Sequence, residues 1–156
     1  SPSIPGITGG ESNGSTTITV TTDSSSGYSL SIEAGTSSAM RSGVSAIDDY
    51  VPLTSDPDFM FTTDSADAHF GFSPEGTEIV TRYQDNGVSC GGGGGDVTLS
   101  CWDGLSTTSR TIASRTTANH PSGSTTTIHF RVGVGGGVSQ PPGIYTATTT
   151  LTALPL

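Results

Sequence analysis

Thr125-Thr126-Thr127-Ile128-His129-Phe130-Arg131-Val132 decides the fold class. Ile128, Phe130 and Val132 recur every second residue, while Thr127, His129 and Arg131 fill the places between them. A period of two is the mark of a strand with one buried face, because successive side chains leave a strand in opposite directions. Threonine reinforces the reading, since its β-branched side chain suits a pleated, half-buried surface.

The same period recurs along the chain. Thr16 to Thr22 sets Ile18 and Val20 against Thr17, Thr19 and Thr21. Tyr28 to Ile32 turns Tyr28, Leu30 and Ile32 to one face. Asp23 to Gly27 between them is turn chemistry, so the two stretches are expected to form a hairpin with a loop of about four or five residues. Further strands are expected at Asp58–Thr63, Ala68–Phe72, Glu78–Tyr83, Val97–Cys101, Arg110–Arg115 and Ile144–Leu154. Asn86-Gly87 would end one of them, and Pro142-Gly143 fits the centre of a type II turn. No window carries a capped apolar stripe of helical period.

About seven to nine short strands with Gly, Pro, Asp and Ser turns predict an all-β fold, an antiparallel β-sandwich of Ig-like or jelly-roll type, with a closed barrel as the alternative. Residues 1–15, rich in Pro, Gly and Ser, are expected as a flexible or extended N-terminal segment. Residues 16–156 read as a single sandwich domain, with 35–76 a loop-rich insertion on it.

The length, 156 residues, suits one domain. Fourteen acidic residues against five cations give a net charge of −9. All five cations are arginines (Arg41, Arg82, Arg110, Arg115 and Arg131), and there is no lysine. Such a chain has no electrostatic footprint for nucleic acid or an anionic membrane. Without lysine it cannot form a Schiff base, a P-loop or a lysine isopeptide bond. Its apolar runs are too short to span a bilayer. Ile, Leu, Val and Phe number only 30, against 26 Thr and 24 Ser. That lean apolar content borders on disorder. The low charge density and the regular alternation favour a folded chain.

Cys90 and Cys101 are the only cysteines. Their spacing fits neither a zinc site nor a CxxC redox pair, and the loop between them is glycine-rich and easy to close. A disulfide is expected. It would be worth roughly 3 kcal/mol from loop-closure entropy and would imply an extracellular or otherwise oxidising location. No secretion signal is visible, as in a processed or truncated chain.

The candidate chemistry is sparse. Asp48, Asp49, Asp56, Asp58, Asp64 and Asp67 are calcium ligands by type, but their spacing matches no known loop, and Asx-turns explain them as well. His69, His120 and His129 accompany no nucleophile motif. Glu11, Glu33, Glu75 and Glu78 lie mostly in or beside turns, which argues against a glycosidase pair. The runs Gly91–Gly95 and Gly133–Gly137 lead into no helix and carry no Lys-Ser/Thr, so they read as a flexible loop and as a close backbone approach. Trp102 is expected to pack against the disulfide rather than to serve as a sugar-stacking platform. Asn13-Gly14-Ser15 is a glycosylation sequon.

Two terminal stretches carry a resemblance. Gln140-Pro-Pro-Gly-Ile-Tyr-Thr-Ala-Thr-Thr-Thr-Leu-Thr-Ala-Leu resembles the closing strand of secreted prokaryotic β-sandwich surface proteins, among them fimbrial, pilin-like and spore-coat-like subunits. The stretch from Thr16 to Ile32, with Gly27-Tyr28 at its turn, is similar to a Thr-rich strand pattern in the same proteins. The resemblance covers about a fifth of the chain. It implies a structural, non-enzymatic subunit of an extracellular filament, pilus or surface coat, needing no cofactor and joined to copies of itself by strand addition or edge packing. The alternative expectation is a cell-surface adhesin or carbohydrate-binding module that takes surface glycans, with calcium near Asp56–Asp67.

Overall fold

The computed structural model describes residues 3–4, 8–95 and 97–156. Part of the segment 1–15 therefore lies outside the described residues. The fold is all-β and built from two sheets. The larger holds β1 (Gly10–Val20), β8 (Ser124–Val134), β5 (Ala68–Glu75), β4 (Ser45–Asp49), β3 (Met40–Ser42) and β9 (Thr146–Ala147), in that order. Short β6 (Asp103–Gly104) also pairs with β5. The smaller sheet is β10 (Thr149–Pro155), β2 (Tyr28–Ala34) and β7 (Arg110–Arg115). Every pairing is antiparallel except β4 with β5, which makes the large sheet mixed.

The alternation in the sequence places the core. Leu30, Ile32 and Ile112 of the small sheet meet Phe70, Phe72 and Ile128 of the large one in a single buried cluster. The threonines opposite them do their work on the outer face. Thr17 and Thr19 of β1 meet Thr127 and Thr125 of β8, hydroxyl to hydroxyl, at 3.2 and 3.3 Å. Such cross-strand threonine pairs support a ladder that carries little apolar weight.

The expected hairpin does not form. β1 pairs with β8 over its whole length, and β2 pairs with β10 and β7 in the other sheet. Residues 21–27 therefore arch from sheet to sheet. Both arrangements bury the same alternate residues, so the period of two cannot distinguish a hairpin from an arch. β1 also begins at Gly10, six residues before the apolar pattern does, because β8 offers partners out to Val134.

Three expected strands are absent. Asp58–Thr63 contributes only an isolated bridge from Asp58 to Trp102. Glu78–Tyr83 becomes a bridge at Ile79 and a 3-10 turn over Thr81–Tyr83. Val97–Cys101 is broken by left-handed backbone at Leu99 and Cys101, both with φ of 61°. Within 35–76, β5 is an interior strand of the large sheet, so the irregular stretch lies before it.

Cys90 and Cys101 are bonded, with Cα atoms 5.6 Å apart. The bridge ties the glycine-rich loop to Cys101, which is fully buried. The double variant Cys90→Ala/Cys101→Ala is expected to lose roughly 3 kcal/mol, read as a fall of about 10 °C in Tm for a domain of this size. A change under 2 °C would show that the loop is held by other contacts.

Candidate functional site

A second, smaller core lies on the outer face of the large sheet. It contains Tyr50, Phe61 and Trp102. Gly71 of β5 and Gly133 of β8 make room for it. A Cβ on Gly71 would sit 2.9 Å from Tyr50 Cβ, and one on Gly133 would strike Thr63 and approach Phe61 to 3.1 Å. The close approach expected of Gly133–Gly137 is thus present, and Gly135 continues it against Asp64 and Ser65.

Trp102 is 0% exposed. Its indole N–H donates to the Leu99 carbonyl at 2.8 Å, and Phe61 meets its ring edge-on at 5.2 Å. Arg131, outward on β8, lies over Trp102 at 4.6 Å and Phe61 at 5.6 Å. Asn13 Oδ1 on β1 accepts its Nε–H at 2.7 Å, with Glu11 3.7 Å away. The tryptophan is enclosed packing under an arginine lid, not a surface platform for a sugar.

The acidic residues divide. Asp58 is 2% exposed and turned inward. Its carboxylate accepts N–H bonds from Leu53, Thr54 and Ser55 and O–H bonds from Thr54 and Tyr50, all between 2.5 and 2.9 Å. Burial pushes its pKa up, but these donors outweigh burial and hold it at about 2. The group organises the loop before it and has no lone pair left for calcium. Asp48 accepts from the Ser38 hydroxyl and Asp49 from the Ala39 N–H. Among the described residues no three His, Cys, Asp or Glu side chains converge as a metal site.

The depressed pKa sets a pH dependence. The stability from Asp58 is present above the ordinary carboxylate pKa of 3.8 and is lost as pH falls towards 2. The drop from 3.8 to about 2 is worth about 2 kcal/mol. Denaturant titrations at pH 6 and pH 2.5 should show that loss in the wild type. Asp58→Asn should be less stable at pH 6 and show a flatter profile. An unchanged slope would remove Asp58 from the account.

Sequence reasoning missed a charge centre around Asp103. This residue is 3% exposed. Its Oδ2 accepts from Arg82 Nη2 at 2.8 Å, from Tyr83 Oη at 2.9 Å and from Arg110 Nη1, while Oδ1 accepts the Gly104 N–H. Arg82 also grips Asp56. Burial raises the Asp103 pKa, and the two guanidiniums lower it further than burial raises it. The one signal in the sequence was that every cation is an arginine, the residue that chelates carboxylates and caps aromatic rings.

The histidines are dispersed. His69 Nε2 donates to the Thr62 carbonyl at 2.7 Å and stands edge-on to Tyr50 and Phe61. His129 Nε2 is 3.2 Å from Glu75 Oε2. His120 lines a cleft at one end of the molecule.

The remaining candidate is a surface. β1 is an edge strand of eleven residues, about 35 Å long, and among the described residues only β8 pairs with it. It is mostly exposed, its register with β8 is unbroken, and it carries no proline, no lysine and a single charge, Glu11. The other edges are shorter or blunted. β7 is flanked by the Ile79 bridge, and its pairing with β2 holds a bulge. β9 has two residues, and β10 ends at Pro155. Proline, lysine, bulges and covering segments are the usual protection against edge pairing, and among the described residues β1 shows none of them along its ladder with β8.

No described protein family, curated protein or solved structure matches the chain.

Proposed function

We propose that the chain is a structural subunit of an extracellular filament, pilus or surface coat, whose partners are further copies of itself. The observation that carries this reading is the β1 edge, which no strand among the described residues pairs on its outer side and which suits strand addition from a neighbour. Three further features support it. The buried carboxylates Asp58 and Asp103 are surrounded by neighbouring donors and serve to hold loops. A disulfide with a buried cysteine, and no helix long and apolar enough to cross a membrane among the described residues, are compatible with secretion. The terminal stretches resemble fimbrial and spore-coat-like subunits.

The same reading takes the two sheets as a sandwich of Ig-like or jelly-roll type. Its support is the antiparallel ladders β1–β8–β5 and β10–β2–β7, from which the parallel β4–β5 pair departs. An adhesin or glycan-binding role loses its main anchors, since Trp102 is enclosed and Asp58 is saturated.

The edge is tested by Ser15→Lys/Thr17→Lys, which places two cations on β1 without touching either core. The variant should fold as the wild type does and need at least tenfold higher concentration to associate. Undiminished association would remove β1 from the assembly surface.

A further inference from the structure

The inward face of β1 divides into two halves. Its first half carries Gly10, Ser12 and Gly14, and its second half carries Thr16, Ile18 and Val20. The outward face carries Glu11, Asn13, Ser15, Thr17 and Thr19, and Glu11 is the one charge on the strand. Gly14 and Thr16 are exposed although they lie opposite Phe130 and Ile128 on the inward face. The small sheet therefore does not reach under this part of the edge. A Cβ on Gly14 would meet no atom within 4 Å outside its chain neighbours.

A strand that fills this edge has to match it in length, charge and side-chain size. Among the described residues the other edge strands are short: β7 has six residues, β9 two, and β10 seven ending at Pro155. β1 has eleven, and it complements itself. Residues directly opposed in an antiparallel ladder share a face. In full antiparallel overlap with a second copy, Ser15 faces Ser15. Gly10 then faces Val20, Ser12 faces Ile18 and Gly14 faces Thr16, so a small residue stands opposite each large one. On the outward face Glu11 meets Thr19 and Asn13 meets Thr17, all able to hydrogen-bond. Asn13 Oδ1 already accepts the Arg131 Nε–H at 2.7 Å, which leaves its Nδ2 to donate to Thr17 of the second copy. A parallel, in-register pairing would instead set Glu11 against Glu11 and Ile18 against Ile18.

We propose that the partner of β1 is β1 of a second copy, antiparallel and in full register, about a two-fold axis through Ser15. The two large sheets then become one, continuous across the axis. The eleven residues of each strand share about ten backbone hydrogen bonds across the axis, as many as a typical stable interface carries. The contact uses one surface twice, so it closes as a pair. The pair is then the unit of the filament or coat, and a different surface joins pairs to one another. The inference rests on the self-assembly reading above and names the strand that fills its edge.

The test uses the full disulfide-bonded chain carrying Ser15→Lys or Ser15→Asp, substitutions at an exposed position, followed by sedimentation velocity over a concentration series. The wild type should pass from monomer to pair as concentration rises. Each variant sets like charges face to face on the axis and should pair about fivefold more weakly. An equimolar mixture of the two should regain wild-type pairing, because opposite charges then meet. Only a two-fold axis brings position 15 against itself, so strand addition from any other segment gives no such rescue. Nitroxides on Glu11→Cys should lie roughly 27 Å apart, the run of the ladder from residue 11 to residue 19. A mixture no stronger than its components, beside variants that are weakened, would overturn the β1–β1 pairing and leave the edge reading standing. So would a label separation under about 15 Å, the result of parallel strands. Association untouched by either substitution would remove β1 from the assembly surface and overturn both. A wild type that is monomeric at every concentration would do the same.

Discussion

Trp102→Ala is expected to cost about 3–5 kcal/mol, the range for removing a fully buried aromatic side chain. The loss should be local in origin. Trp102 belongs to the outer cluster with Tyr50 and Phe61, separated by the β5–β8 layer from the core between the sheets. Without the indole, Arg131 loses its closer aromatic face and the Leu99 carbonyl loses its donor. Segment 58–59 would also lose its stiffening, because it is tied to 101–102 by the Asp58–Trp102 and Cys101–Phe59 backbone bonds. Hydrogen exchange should therefore rise first around residues 50–63 and 97–102, with β2 and β7 protected until global unfolding. Arg131→Ala should cost less, about 1–2 kcal/mol. The double variant should fall short of the sum of the two losses, because both report one contact. Equal acceleration of exchange across β2 and β7 would mean that the outer cluster is not a separate unit.

Asp103→Ala is the second large effect, expected at about 3 kcal/mol, as for a buried ion pair broken from one side. Arg82 and Arg110 would be left facing each other, and the Tyr83 hydroxyl would lose its acceptor. Asp103→Asn keeps the shape but not the charge. It should recover part of the loss and flatten the acid limb of the stability profile. The sign follows from the pKa: burial opposes ionisation, the guanidiniums more than offset it, and the lowered pKa gives stability that is present at neutral pH and fades as pH falls below the ordinary carboxylate range. Denaturant midpoints for both variants at pH 7 and pH 3 measure it. An Asp103→Ala chain as stable as the wild type at pH 7 would show that the ion centre contributes nothing net.

Periodicity made the strands of this protein legible and left their partners hidden. β8 and β2 are where alternation places them; Tyr28, Leu30 and Ile32 of β2 and Ile128 of β8 are buried, while Phe130 and Val132 are half-buried against the same core. Pairing is a different matter. Ile18 and Val20 face the core equally well from a hairpin or from an arch, so nothing local could assign β1 to β8. The Asp58–Thr63 segment alternates like a strand, but Asp58 gathers five donors into a knot that a regular ladder would break. Val97–Cys101 fails for a backbone reason, the left-handed residues at Leu99 and Cys101. The charge centre was invisible because Arg82, Asp103 and Arg110 come together only once β6 has paired with β5. The Trp102 enclosure was half legible. Packing was expected, but Arg131 as its lid was hidden by an outward position that reads as solvent-facing.

Self-association of the native chain is read from the assembly state of disulfide-intact material. Sedimentation velocity across a concentration series, with negative-stain microscopy of the most concentrated sample, should show growth with concentration into regular fibres or sheets. A single monomeric species at every concentration, with the termini and the Cys90–Cys101 bond intact, would contradict the account.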